Sequence, residues 1–431
     1  MISLLDREST VTTGAHMATA HRLVASTVEL RAEVDLARVA GPDGVLWERD
    51  GAGFAGRGTA LTVRVPPGGL AAAAAEVADL LSSIEVRGPR LPVAVGALPF
   101  ATSAAGEMVV PEILVRRDPD GSGWLTVVGA DPEPGSAARR LVSVETLEPL
   151  GTVARGERPT EYRVTASTSV DEWCEWVADA ADAVAAGRLA KVVLAREVTV
   201  TSDRAIAVVD VARRLRSAYP SCMVFAVGGF VGASPELLVA REGDRVWSEP
   251  LAGTAPRHDV PGSGPEQASS LLSSPKDREE HRLVVEAVAE GLAGYCHDLA
   301  VPATPSLVSV GNIAHLGTEV EGRLSDPRTS VLELVAALHP TPAVAGTPTG
   351  AALDYLAAVE RIDRGRYAGP VGWVDAAGDG RWAVGIRSAE IADRRARLLA
   401  GAGIVAQSTP EAELAETELK LQPMLNAIVR P

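Results

Sequence analysis

The sequence predicts a mixed α and β fold rich in antiparallel strands, and three observations carry that reading. Glu242-Gly243-Asp244 and Gly378-Asp379-Gly380 each stand between two short apolar runs, the pattern of tight hairpins. Stretches with apolar residues at three- and four-residue spacing, some opening on capping residues, alternate with these hairpins and read as helices. Of the 431 residues, 46% are hydrophobic but only 4% aromatic, so the core is aliphatic and large enough for one big domain or for two or three ordinary ones.

Charge and cysteine content exclude several function classes. A formal charge of −15 and a pI near 5.0 argue against a nucleic-acid partner, which needs clustered Lys and Arg. A small anion remains possible if a local pocket overrides the global sign. Cys174, Cys222 and Cys296 are far apart and show no metal-ligand spacing, which suits a reducing cytosol. The first residues, MISLLDREST, hold no basic region followed by an apolar core, and no later window approaches ~18 uninterrupted apolar residues. We therefore expect a soluble, cytoplasmic protein with no membrane partner.

Within residues 1–160, Val28–Val34, Leu61–Val65, Val93–Phe100, Glu107–Val115 and Thr126–Gly129 read as strands, and the Ala-rich run Leu70–Leu81 as a helix. Pro and Gly cluster at 131–135 and again at 151–159, as in a linker or crossing loop. No catalytic constellation is visible there. From Ser169 the signals sharpen: Ser169 and Glu172 form a capping-box pattern, and Val170, Trp173, Trp176, Val177 and Val184 continue at helical spacing until Gly187. Lys191–Val200 is a strand with Lys191, Val193, Ala195 and Glu197 on one face. Lys191 is either an edge residue pointing to water or a partly desolvated amine able to act as a base. A helix over 206–218 and a strand over 222–227 follow.

The next stretch is the one with chemistry. Phe230–Ala233 and Leu237–Ala240 are strands separated by Ser234-Pro235-Glu236, so Glu236 sits at a bend. A carboxyl between apolar strands must be solvated in a cleft, paired, or kept protonated. The return strand ends in Leu251-Ala252-Gly253-Thr254-Ala255, whose small residues let a ligand approach backbone amides. Ser274-Pro275 followed by Asp277, Glu279 and Glu280 starts a helix with a buried arc of Val284, Val285, Val288 and Leu292. Glu280, at the margin of that arc, either complements the helix dipole or serves a site.

Leu307–Ile313 and His315–Leu324 read as strands, Val331–Leu338 as a helix, and the Pro-rich 339–348 as a loop opening a helix over 349–361. Tyr367–Asp375 and Trp382–Ile391 form the hairpin around Gly378-Asp379-Gly380, with Arg387 in mid-strand, where a guanidinium needs an anion. Gly401-Ala402-Gly403 ends the following strand and could present amides to another anion. A last helix, from about Pro410 to Val429, has a predicted core arc of Leu414, Leu421, Met424 and Leu425. Glu413, Glu416 and Lys420 share a stripe beside it, either as a surface ion pair or as carboxylates for a divalent cation beside an anion-binding Lys.

Taken together, KVVLARE (191–197), SPELL (234–238), PLAGTA (250–255), Glu280-His281, HLGTEVEG (315–322), LHPTPAVAGTP (338–348), YAGPVGW (367–373), IRSAEI (386–391), GAGIV (401–405) and ETELK (416–420) resemble, in order, the chorismate-utilising enzymes, and among them the isochorismate synthases. Leu414 and Ala415 depart from the family, which often carries Trp and an acid there. The resemblance implies an α+β fold: a single large domain of two packed, mainly antiparallel sheets with helices on the outside. Residues 1–160 would be the variable N-terminal part and 161–431 the chorismate-binding catalytic region.

It further implies Lys191 as the base that activates water for attack on C2 of chorismate, and Glu236 as the acid that protonates the departing C4 hydroxyl. Mg²⁺ would be held by Glu280 and Glu416 with Glu413 nearby. Arg387, Tyr367, Lys420 and the amides near Gly403 would bind the substrate's carboxylates, and Gly253, Thr254, His315 and Ala343 would line the same pocket. Ala343 stands where aminating relatives and salicylate synthases tend to have Thr, which favours a water-using isochorismate synthase, feeding menaquinone or siderophore synthesis, over a salicylate synthase, an aminating synthase or an inactive binding paralogue. A monomer or weak homodimer is expected.

Overall fold

The computed structural model describes residues 23–31, 34–130, 158–256, 270–311 and 313–430. The Pro- and Gly-rich segment at 131–135, and all of 151–159 except Arg158 and Pro159, lie outside the described residues.

Strands dominate, arranged in a 13-stranded sheet, a 9-stranded sheet and a small 3-stranded sheet. Described pairings are antiparallel, except that Val24–Glu29 runs parallel to Glu85–Arg87. The two large sheets face each other across an apolar layer. Phe54, Leu114, Phe225 and Phe230 from the larger sheet meet Val95, Leu237, Trp247 and Val371 from the smaller. Helices cover the outer faces because each has one apolar stripe to bury. Val208–Ala218 and Pro410–Val429 pack on the larger sheet, and Leu70–Ser83 and Val331–Leu338 on the smaller. The N-terminal strands extend both sheets: Val45–Arg49 pairs with Met223–Val227 in one, and Val93–Ala97 with Pro370–Asp375 in the other.

Local signals hold where they rest on caps and periodicity. Ser169 accepts from the Glu172 amide at the start of Val170–Ala185, and Ser274 from the Asp277 amide at the start of Pro275–Ala293. Val284, Val285, Val288 and Leu292 are buried as expected, and Leu61–Val65 and Val331–Leu338 have their expected bounds.

Five expected strands differ, and three of them differ because the chain changes sheet; Glu107–Val115 is the first of these, dividing into Gly106–Val110 in the 9-stranded sheet and Ile113–Arg117 in the 13-stranded one. The first strand is Val24–Glu29, earlier than expected. Leu307–Ile313 breaks at Gly311, which turns the chain with φ +56. His315–Leu324 divides into Ile313–Gly317 in the 3-stranded sheet and Val320–Leu324 in the 9-stranded sheet. Trp382–Ile391 divides into Gly380–Val384 and Ser388–Ala392, in different large sheets, so Arg387 is not in mid-strand: it lies in the crossing segment with φ +51. Continuous β-compatible sequence does not reveal a change of layer, because each half keeps its own alternation. In the last helix the arc is rotated. Glu413, Thr417, Leu421, Met424, Ala427 and Ile428 are buried while Leu414 and Leu425 are only partly so, because the helix packs on both the sheet and the Val170–Ala185 helix.

Candidate active site

The site forms where strands leave one sheet for another. Phe230–Ser234 belongs to the 13-stranded sheet and Leu237–Glu242 to the 9-stranded one, so Pro235 and Glu236 make the crossing. Residues 385–387 cross back alongside them, bringing Arg387 next to Glu236. Pro250 leads from the 9-stranded sheet into Leu251–Pro256 of the small sheet, whose neighbour Ile313–Gly317 carries His315. Interrupted ladders free space that a continuous strand would fill. The result is a cavity of about 610 Å³, counting its open mouth, lined by Lys191, Glu236, Gly253, Thr254, Glu280, His315, Ala343, Tyr367, Arg387, Gly403 and Lys420 among others.

Thus the fold gathers every expected site residue at the cavity except Glu413 and Glu416, which do not line it. Lys191 is 1% exposed, at the start of the Lys191–Ser202 strand, and its Nζ lies 2.9 Å from Glu280 Oε1. The edge-facing alternative for this lysine is therefore wrong. Gly403 explains the closeness: a Cβ there would fall 2.6 Å from Glu280 Oε1 and 2.8 Å from Lys191 Cε, so any side chain would wedge the pair apart.

Glu236 and Glu280 are both carboxyls at this cavity, with opposite fates. Burial pushes Glu236 up to about 7, against the pull of the Lys191, Arg387 and Lys420 charges and the Leu251 amide. Burial acts on Glu280 as well, but its ion pair with Lys191 and the nearby Lys420 and Lys276 hold it below the ordinary glutamate value. The crossing is held by Ser234, whose hydroxyl donates to the Val384 carbonyl while the Val384 amide donates to the Glu236 carbonyl.

Arg387 supplies the unmatched positive charge. It is buried, and among the described residues no carboxylate comes within ion-pair distance; its hydrogen-bond partner is His315, at 3.3 Å from Nη2 to Nε2. His315 Nδ1 lies 2.8 Å from the Gly253 carbonyl, which only accepts, so Nδ1 carries the proton and Nε2 is the acceptor facing Arg387. Burial and the Arg387 charge push His315 down to about 3, so the ring is neutral at working pH. Tyr367 is buried on the same wall, and burial raises its phenol above the ordinary value. Lys420 Nζ donates to the Gly401 carbonyl at 3.0 Å and pairs with Glu416 at 2.6 Å. A buried guanidinium without a counter-ion, beside a phenol and an ammonium, is suited to an anionic ligand.

Behind the cavity two helices put acids near one another. Glu280 and Asp277 come from Pro275–Ala293, Glu413 and Glu416 from Pro410–Val429. Burial and the Glu416 charge raise Glu413, and burial with the Glu280 and Glu416 charges raises Asp277, so negative charge is in local excess. Lys276, which no sequence motif singles out, partly offsets it by pairing with Glu413 at 3.1 Å. No three acidic, His or Cys side chains converge on one point among the described residues. Glu280 and Glu416 nonetheless offer the donors Mg²⁺ prefers, hard oxygens from one or two carboxylates, with the rest of its shell left to ligand and water. The donor set fits.

Comparison with known proteins identifies the family. A family profile described as chorismate binding enzyme matches residues 72–429. The isochorismate synthase DhbC of Bacillus subtilis is 39% identical over 363 residues, 82% of this chain and 84% of the relative. The isochorismate synthase EntC of Escherichia coli is 36% identical over 356 residues, 81% and 85% of the two chains. Among solved structures, the menaquinone-specific isochorismate synthase MenF of Escherichia coli superposes with a TM-score of 0.77 over 95% of each chain at 24% identity, a likeness of fold. With the family profile spanning most of the chain, the protein belongs to the chorismate-binding enzymes.

Proposed function

We propose that this chain is an isochorismate synthase, converting chorismate to isochorismate by adding water at C2 and expelling the C4 hydroxyl. The observation that carries the reading is that one cavity holds a buried amine, Lys191, and a buried carboxyl, Glu236, raised to about 7. Near neutral pH much of Glu236 is therefore a proton donor, as acid catalysis at a leaving hydroxyl requires. In its neutral form Lys191 takes a proton from the attacking water as the new C2–O bond forms. The double bonds shift around the ring, the C4–O bond breaks, and Glu236 protonates the leaving oxygen. Water is consumed and released, so the reaction needs no oxidant or co-substrate.

Arg387, Tyr367 and Lys420 hold the substrate's two carboxylates, and their local positive charge outweighs the acidity of the whole chain. Glu280 and Glu416, with Glu413 close by, would hold Mg²⁺, which would supply positive charge to neutralise a substrate carboxylate. No helix of the described residues is long and apolar enough to cross a membrane. The three free cysteines suit a reducing cytoplasm. Incubating purified protein with chorismate and Mg²⁺ tests the reading: isochorismate as sole product supports it, whereas fluorescent salicylate, an amino product dependent on ammonia, or no turnover would each replace it.

A further inference from the structure

The Lys191–Ser202 strand, which carries the base, has one fully paired edge and one interrupted edge. Along the first it pairs with Arg395–Ile404 from Val192 to Thr201. Along the second, Gly346–Thr347 covers only Lys191 and Val192, and Tyr162–Ala166 covers only 198–202. Between them the backbone of 193–197 needs partners, since buried amides and carbonyls without them are costly.

The Val193 amide donates to the Ala345 carbonyl and the Glu197 carbonyl accepts the Ser167 amide, and two side chains supply further partners between them. Glu360 Oε1 accepts the Ala195 amide at 2.7 Å, and Arg364 Nη2 donates to the Val193 carbonyl at 2.6 Å. The two are bound to each other through Nε to Oε2 at 2.8 Å and Nη2 to Oε1 at 2.6 Å, with side chains 5% and 4% exposed. Arg364 reaches further: Nη1 donates to the Val344 carbonyl at 2.7 Å, its guanidinium stacks 4.4 Å from the Phe100 ring centroid, and its own carbonyl accepts the Tyr367 amide. Neither residue lines the cavity, yet Val193, Val344 and Tyr367 do.

We propose that Glu360 and Arg364 are a positioning pair that takes the place of a missing neighbour strand and fixes the Lys191 strand against the Ala343–Val344 wall. The pair sets the distance between the base and the wall opposite it, so its loss lowers turnover more than substrate binding, which depends on Arg387 and Lys420 elsewhere. This rests on the isochorismate synthase reading for its activity arm, but not for its structural arm.

The test replaces both charges together, Glu360→Gln with Arg364→Met, because removing one alone would bury an uncompensated charge. Expected are a roughly 10- to 100-fold fall in kcat, a KM for chorismate within about threefold of wild type, a melting temperature within a few degrees, and faster exchange of the Ala195 amide, which Glu360 accepts. Arg364→Lys, which keeps the charge and loses the fork, should fall between the double variant and wild type, and serves alone if the double variant does not fold. Wild-type kcat in a folded variant, unchanged exchange at Ala195, or kcat, KM and melting temperature falling together would each overturn the proposal. If the wild type makes no isochorismate, the functional reading fails by itself, and the exchange measurement still decides whether the pair holds the strand.

Discussion

The two ends of the cavity treat the same functional group differently. At the sheet-crossing end Glu236 is a buried carboxyl with no hydrogen-bonded cation, raised to about 7. At the helix end Glu280 is a partly buried carboxyl with a lysine 2.9 Å away, held ionised. Burial penalises charge at both; a contact ion pair reverses the outcome at one, while the more distant Lys191, Arg387 and Lys420 charges only moderate it at the other. One cavity thus keeps a protonated carboxyl and a carboxylate a short way apart.

Perturbing the members of this contrast tests it, and the largest effect is expected at the residue both ends share. Lys191→Ala should lower kcat by about 10³-fold while chorismate binding in the presence of Mg²⁺ persists; turnover near wild type would remove the base from its role. Glu236→Gln should lower kcat by about 10²- to 10³-fold, and the wild-type rate should fall as pH rises through about 7, where the acid loses its proton.

The same substitution sharpens the comparison through stability. Glu236 titrates higher folded than its ordinary 4.5, so the folded state holds the extra proton; stability is greatest below 4.5 and declines up to about 7, by on the order of 3 kcal/mol. Glu236→Gln removes that decline, so melting curves of variant and wild type should diverge in the variant's favour as pH rises from 5 to 8. Parallel curves would mean that Glu236 is not the buried neutral acid.

Glu280→Ala should shift the Mg²⁺ titration of activity to at least about tenfold higher concentration, since one of two carboxylate ligands is lost. An unchanged titration would take Glu280 out of the metal site. The smallest effect is expected where a carboxylate and a cation meet in water. Arg282 pairs with Glu279 and Glu286 on the exposed face of the same helix, and Arg282→Ala should change stability by less than about 1 kcal/mol and leave activity intact.

The order of motifs from Lys191 to Lys420 was legible because site chemistry demands particular side chains in particular sequence settings: an acid after Pro at a bend, small residues where a ligand approaches backbone amides, an arginine among apolar residues. Lys276, Glu360 and Arg364 were not legible. Each resembles an ordinary charged residue of a helix start or helix end, and their partners Glu413, Val193, Ala195 and Val344 lie far away in the chain.

By itself the sequence determined the helices that begin on Ser169 and Ser274, the hairpins, and the identity of the chemical groups, since these depend on neighbours a few residues apart. Tertiary structure alone decided where strands change sheets, that Arg387 leaves its ladder at φ +51, and which carboxyl at the cavity meets a lysine. Those outcomes turn on through-space distance, and charge and burial act across gaps that no local pattern of residues encodes.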